Sequence, residues 1–287
     1  MSPQPLGAEA HALPRLRWRR NLVGSRVLVT GASSGVGRAV ALELARRGAR
    51  VLATGRRGER LAEVAEAAAG LSGGPVLHAA GDITVPAFRR HLIDMATTQF
   101  GGLDLVVAAA GSGAIGRFSD ATAETLTDIM AVDFFAPAEL VRESLSVLQA
   151  GRDPAIVLVG SILGYHPLPL HAEYCAAKAA LRSLAGTLRA ELAADGIGVL
   201  LASLGPTESE FWNHLLTGHR PGWSSGRAMS ASRTARIIVR ALVWRRREVL
   251  PGWRAKGFAL AARFFPRMID RSLRRRMRRS RWPISSR

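Results

Sequence analysis

Apolar residues in this chain fall into two alternating patterns, short continuous runs and helical intervals. Arg26-Val27-Leu28-Val29-Thr30 is a brief β-branched run with no polar face, as in a strand covered on both sides. It passes through a glycine-rich turn into the helical pattern Arg38 to Arg47. Val51-Leu52-Ala53-Thr54 repeats the strand signature and stops at Gly55. Further runs lie at Pro75–Ala80, Leu103–Ala110, Ala155–Ser161 and Gly196–Leu204, with helical stretches between them. This alternation predicts one α/β domain, a doubly wound parallel sheet with helices on both faces. In such sheets ligands meet at the carboxyl ends of the strands. The pattern divides the chain into a basic arm (1–23), the α/β domain (24–250) and a tail (251–287).

Composition sharpens this outline. A chain of 287 residues with 48% apolar content can bury one substantial core. Its one cysteine, Cys175, excludes a disulfide within the chain and reads as a small apolar space-filler. Seven histidines show no metal-ligand spacing, so no metal site is expected. His166 and His171 are read as polar loop groups flanking the substrate mouth.

The first glycine-rich turn carries the clearest nucleotide signal. Gly31-Ala32-Ser33-Ser34-Gly35-Val36-Gly37 joins a strand to a helix, the context a phosphate-binding turn requires. Gly31 permits the tight turn, Gly35 lets the backbone approach a pyrophosphate, and Gly37 allows close helix–sheet packing. The helix N-terminus adds N–H donors and a positive dipole end. After the second strand, a cofactor with a free ribose 2′-hydroxyl is usually met by Asp or Glu. Here Gly55 is followed by Arg56-Arg57, and a planar, permanently charged guanidinium suits a 2′-phosphate. NADP is therefore expected over NAD.

Tyr174 and Lys178 stand four residues apart on a helical pattern, with Ser161 thirteen residues upstream. Residues i and i+4 share a helix face. A lysine ammonium beside a phenol favours the phenolate, so Tyr174 is expected to have a lowered pKa and to act as general acid/base.

These motifs, in this order, resemble the short-chain dehydrogenase/reductase family over about residues 24 to 250. The resemblance implies a Rossmann-like fold and a nicotinamide cofactor. It places Thr30, Gly31, Ser33, Ser34, Gly35, Val36 and Gly37 at the dinucleotide, with Arg56 and Arg57. Asp82 and Ile83 would meet the adenine, and Ala109, Ala110 and Gly111 would border the cofactor. Ser161 would polarise the substrate oxygen, Tyr174 would move the proton, and Lys178 would also bind the nicotinamide ribose. Gly205, Thr207 and Ser209 would pass the carboxamide, in a loop where Leu204 replaces the family's usual Pro. Residues 207 to 228, with Phe211, Trp212, Leu215, Leu216 and Trp223, match the family's variable substrate lid. Their apolar content suggests an apolar or lipid-like substrate. Helices around 122–150 and 171–195 imply a homodimer or homotetramer.

Two departures stand out. The family's Asn-Asn-Ala-Gly after strand four is Ala108-Ala109-Ala110-Gly111, which removes two hydrogen-bonding side chains. That loss leaves the turn to water or weakens nucleotide binding. Asp133 stands where the family commonly has a relay Asn; it is expected to order a water leading to Lys178 and to oppose the phenolate slightly.

The ends differ from the middle. The arm holds Pro3, Pro5, Pro14 and the arginines 15, 17, 19 and 20, without the apolar stretch of a secretion signal, and is expected to be loosely attached. From Arg233 to Arg287 there are 18 Lys and Arg against two acids, which leaves 22 basic and 20 acidic residues elsewhere. Most of the net charge of +18 thus belongs to the C-terminal end. Large apolar residues recur there at helical period, from Trp253 to Met277 with a break at Pro266, and arginines fill the opposite face. Arg263 and Arg267 interrupt any stretch long enough to span a bilayer. Three readings are open: contact with an anionic membrane surface, with Trp253 and Trp282 as anchors; contact with nucleic acid; or packing and disorder. The interleaved apolar residues favour the first and make nucleic acid the weakest.

The expectation is a cytoplasmic NADP(H)-dependent oxidoreductase, with peripheral contact on the inner face of the membrane. It would exchange hydride with a carbonyl or secondary alcohol by a Ser-Tyr-Lys mechanism. The alternative is a redox-inactive NADP-binding scaffold at a membrane surface.

Overall fold

A computed structural model describes residues 19–71, 73–208, 210–213, 215–218 and 228–279. In chain order the elements begin with β1 (Arg26–Val29), α1 (Gly35–Arg46), β2 (Arg50–Gly55), α2 (Gly58–Ala69), β3 (Val76–Ala80) and α3 (Pro86–Phe100). They continue with β4 (Leu105–Ala108), β5 (Gly113–Ala114), α4 (Ala123–Met130), α5 (Ala136–Gln149), β6 (Ala155–Ser161) and α6 (Ala172–Glu191). The chain then forms β7 (Gly198–Leu204), β8 (Leu215–Thr217), α7 (Ala231–Val243), β9 (Glu248–Val249), α8 (Trp253–Phe264) and α9 (Pro266–Arg279).

Seven strands form one parallel sheet in the order β3-β2-β1-β4-β6-β7-β9. Successive side chains of a strand point to opposite faces, so the continuous apolar runs supply both covering layers. Val27, Val29, Val51 and Val157 pack with α1, α2 and α7 on one side. Leu28, Leu52, Ile156 and Leu158 pack with α3, α5 and α6 on the other. Strand order reverses between β1 and β4, which opens a crevice at their carboxyl ends. β5 and β8 pair as a small second sheet, tying the segment after β7 across that crevice.

The predicted elements appear with shifted ends, and β9 was unforeseen because its pairing spans only Glu248 and Val249. The arm is attached earlier than expected. Arg20 is buried, pairs with Asp153 at 3.2 Å and donates to the carbonyls of Leu242 and Pro154, while Leu22 enters the core. Arg19 lies over the Trp244 ring at 3.8 Å, and Arg15 and Arg17 lie outside the described residues.

The tail forms two helices that meet at the predicted break and rest on the domain. Ala255 and Ala262 are buried, and His166 Nε2 meets Asp270 Oδ1 at 3.1 Å. One face of the tail thus lies against the domain. Trp282 lies outside the described residues. Among the described residues, no helix is long and apolar enough to cross a membrane.

Candidate active site

Gly31 and Gly35 adopt positive φ (66° and 54°), the left-handed region open to glycine. A Cβ on Gly37 would stand 2.2 Å from the Gly31 carbonyl oxygen, so only glycine lets α1 start this close to the turn. Ser34, at the N-cap of α1, makes no side-chain cap, and the first turn holds no acid. The helix N-terminus thus faces the crevice without a competing carboxylate, as a pyrophosphate would require.

The turn after β4 is held by the hydroxyl of Thr30, which was expected at the dinucleotide and not as a brace for this turn. Thr30 Oγ1 accepts from the Ala109 and Ala110 N–H groups, each at 3.1 Å. These bonds hold the backbone of the turn where two Asn side chains are missing, a loss expected to be covered by water or to weaken nucleotide binding.

One cavity of about 840 Å³ runs from this turn to the end of β6. Its wall takes in Thr30, Gly31, Ser33, Ser34, Gly35, Val36, Gly37, Arg56, Arg57, Asp82 and Ile83. It also takes in Ala109, Ala110, Gly111, Asp133, Ser161, Tyr174, Lys178, Gly205 and Thr207. Of the residues picked out in the sequence for the site, Ser209 and Trp223 lie outside those described. Thr207 Oγ1 donates to the Gly205 carbonyl.

At one end, Tyr174 and Lys178 occupy the first two turns of α6. Lys178 Nζ lies 5.6 Å from the Tyr174 ring centre, donates to the Val159 carbonyl at 3.3 Å and pairs with Asp133 Oδ1 at 2.7 Å. Asp133 sits on a π-helical turn (Ala131–Phe135) between α4 and α5, a widening often found at functional sites. Its Oδ2 accepts from the Ser112 N–H at 2.9 Å, and it has no solvent exposure. A Cβ on Gly111 would lie 3.0 Å from Asp133 Oδ1, so this glycine leaves room for the ion pair.

Two expectations need correction. Asp133 contacts Lys178 directly, without an intervening water. The Tyr174 phenol is also raised, not lowered: burial pushes it up, Lys178 pulls it down, and the Asp133 carboxylate pushes it up again. The ammonium's acidifying field is partly cancelled by its own counter-ion, while hydrogen bonding from Ser161 favours the phenolate. Burial works against the Lys178 ammonium, but Asp133 and Tyr174 outweigh it and hold the amine above its usual value. Burial also pushes the Cys175 thiol up to about 11, in keeping with an inert space-filler.

At the other end, Arg56 is exposed and Arg57 Nη1 pairs with Glu210 Oε2 at 2.7 Å. Asp82 Oδ1 accepts from the Thr84 N–H and hydroxyl, which fixes the loop after β3. The segment after β7 crosses between the ends: Glu210 reaches Arg57, and the Phe211 ring lies 5.5 Å from Tyr174 in an edge-on contact. Leu168, His171 and Leu216 also line the cavity, and Arg276 of α9 reaches it from the tail. Burial lowers the His171 pKa, and its Nδ1 meets the Pro169 carbonyl at 2.9 Å. Nothing in the sequence distinguished Arg276 from its arginine neighbours or linked Glu210 to Arg57.

The short chain dehydrogenase family profile matches residues 25–219. The chain belongs to that family. The hydroxysteroid 11-beta-dehydrogenase 1-like protein A of Xenopus laevis is 32% identical over 87% of this chain and 86% of its own length. The 11-beta-hydroxysteroid dehydrogenase 1A of Arabidopsis thaliana is 37% identical over 66% of this chain and 54% of its own. A short-chain dehydrogenase from Streptomyces avermitilis has the same fold, with a TM-score of 0.75 and 24% identity over 88% of this chain and 98% of its own. As a short-chain dehydrogenase/reductase, the protein is an oxidoreductase of CH–OH and C=O groups that uses a nicotinamide cofactor.

Proposed function

We propose that this dehydrogenase is NADP(H)-dependent and interconverts an apolar, lipid-like secondary alcohol and its carbonyl by a Ser-Tyr-Lys mechanism. The observation that carries this reading is the cavity itself. Ser161, Tyr174 and Lys178 converge at one end, and Arg56 and Arg57, with no carboxylate at the end of β2, stand at the other.

The uncapped N-terminus of α1 would hold the pyrophosphate, Arg56 and Arg57 the 2′-phosphate, and Asp82 and Ile83 the adenine. Thr207 and Ser209 would flank the carboxamide. The nicotinamide supplies or accepts the hydride. In reduction, Ser161 would hydrogen-bond the substrate oxygen while the Tyr174 hydroxyl gives its proton to the nascent alkoxide. A raised phenol is a competent acid at neutral pH. Lys178, anchored by Asp133 and Val159, would fix the ribose and steady the phenolate left behind.

Phe211, Leu168 and Leu216 in the cavity wall favour an apolar substrate, and the relatives' names point to the same class. Assembly through α4 to α6 into a homodimer or homotetramer belongs to this proposal. Leu126 and Phe135, 40% and 53% exposed, offer apolar contacts there.

A second reading draws on the Asp133–Lys178 pair. A lysine committed to a carboxylate acidifies its tyrosine less, as a redox-inactive NADP-binding scaffold would tolerate. NADPH oxidation over aldehydes, ketones and keto-steroids, with Tyr174→Phe beside the wild type, separates the two. The expected outcome is turnover that Tyr174→Phe lowers at least about a hundredfold while NADPH affinity is kept. NADPH binding with no turnover on any substrate would favour the scaffold.

A further inference from the structure

Helix α8 exposes a stripe of large apolar residues that water alone does not favour. On α8, Ala255 and Ala262 are buried against the domain. Trp253, Leu260 and Phe264 fall within about 40° of one another on the helix, roughly opposite those alanines. They are 79%, 58% and 64% exposed. Phe265 and Met268, at the junction with α9, are 59% and 65% exposed and extend the patch. The inward side thus holds the two alanines and the half-buried Phe258, whose ring meets His166, while Trp253, Leu260 and Phe264 face out as an exposed apolar stripe.

On α9 the pattern turns over. Ile269, Leu273 and Met277 form a half-buried stripe, and Asp270 is spent on His166. Arg267, Arg271, Arg274, Arg275 and Arg278 occupy the far side of the helix and are exposed. Between Trp253 and Arg279 there are ten Lys and Arg against that single acid. Arg254 and Arg263 stack near Trp253 and Phe264, so cations border the apolar patch as well.

We infer that α8 and α9 form a docking surface for an anionic lipid bilayer. The α8 stripe, with Phe265 and Met268, enters the headgroup boundary, while the α9 arginines lie on lipid phosphates. Charge complementarity and the joined apolar and basic faces select this occupant: a nucleic acid would not use the aliphatic and aromatic patch, and a second copy would bring a second set of like charges. Arg276, on the side of α9 away from those arginines, lines the catalytic cavity, so α9 joins the cleft on one side to the docked face on the other. The inference rests on the tail alone and does not depend on the cofactor or substrate assignment.

Flotation of the full chain tests it, with vesicles of phosphatidylcholine alone or mixed with phosphatidylglycerol. The expected result is flotation with the mixed vesicles only, weakened by salt. Leu260→Asp/Phe264→Asp should abolish it, and Arg271→Glu, Arg274→Glu and Arg275→Glu should each lower partitioning roughly fivefold or more. NADPH affinity and thermal midpoint should be unchanged. Should the double variant fail to fold, quenching of tryptophan emission by brominated lipids gives an independent readout; it is expected in the wild type and reduced in Trp253→Ser. Failure to float, or equal flotation with neutral vesicles, would overturn the inference. So would loss of a dimer in Leu260→Asp/Phe264→Asp without lipid, which assigns the face to a second copy. Oligonucleotide binding that anionic vesicles do not displace would assign it to nucleic acid.

Discussion

Two ion pairs of equal length stand at opposite ends of the catalytic cavity. Asp133 and Lys178 meet at 2.7 Å with side chains 0% and 5% exposed; Arg57 and Glu210 meet at 2.7 Å with 35% and 38%. Distance therefore does not separate them, but surroundings do. Where water is excluded, a charge that loses its partner keeps its desolvation cost. At the surface, water and salt replace the partner cheaply. The inner pair is a fixture of the fold, whereas the outer pair is exchangeable, and under the proposed NADP(H) reading a 2′-phosphate would compete for its arginine.

The largest effect should come from the inner pair. Asp133→Ala leaves the Lys178 ammonium buried without its counter-ion and the Ser112 N–H without its acceptor. A loss of about 3–5 kcal/mol in urea unfolding is expected. Glu210→Ala should change stability by no more than about 1 kcal/mol. Equal losses at the two sites would show that burial does not distinguish them.

Next in size is the cofactor effect at the outer pair. Arg57→Ala removes a charge-assisted contact of about 1.5–3 kcal/mol, so NADPH affinity should fall about ten- to a hundredfold while NADH affinity holds. Glu210→Gln should act oppositely, tightening NADPH binding a few-fold by removing the competitor. Calorimetric titration of both variants with both cofactors checks the pair. A loss shared by NADPH and NADH would mean that Arg57 does not read the 2′-phosphate.

How far the site was legible in the sequence depends on whether a contact lies within one element or crosses between two. The parallel sheet followed from Val27–Val29 and Ala155–Ser161, whose patterns are local. The glycine turn, and Tyr174 with Lys178 on α6, were also readable, because spacing along one element fixes which side chains share a face. What distant elements contribute left no periodic trace. Glu210 comes to Arg57 from 153 positions away, and Thr30 holds Ala109 across 79. The direction of the Tyr174 shift was misjudged for a related reason. A Tyr-x-x-x-Lys spacing shows the cation but neither the burial of the phenol nor how closely Asp133 sits on that cation. The tail's periodicity revealed its two faces; only the fold revealed that α8 turns its small residues inward.

The smallest and most discriminating effect concerns pH. In alcohol oxidation Tyr174 must act as a base, so the rate rises with pH as the phenol ionises. Asp133 raises that phenol, and Asn at the same position keeps the shape and an oxygen acceptor while removing the charge. Asp133→Asn should therefore move the rise in oxidation rate to lower pH. In the reduction direction, where the protonated phenol is the active form, the fall in rate should also begin at lower pH. Lys178 loses the partner that holds its own pKa up, so its ammonium also gives up its proton more readily, but from a starting point above the usual lysine value. The profile should be set by the phenol first. Steady-state kcat/KM across pH in both directions, compared between wild type and Asp133→Asn, gives the test. Profiles that coincide would mean that Asp133 holds Lys178 in place without any electrical hold on the proton.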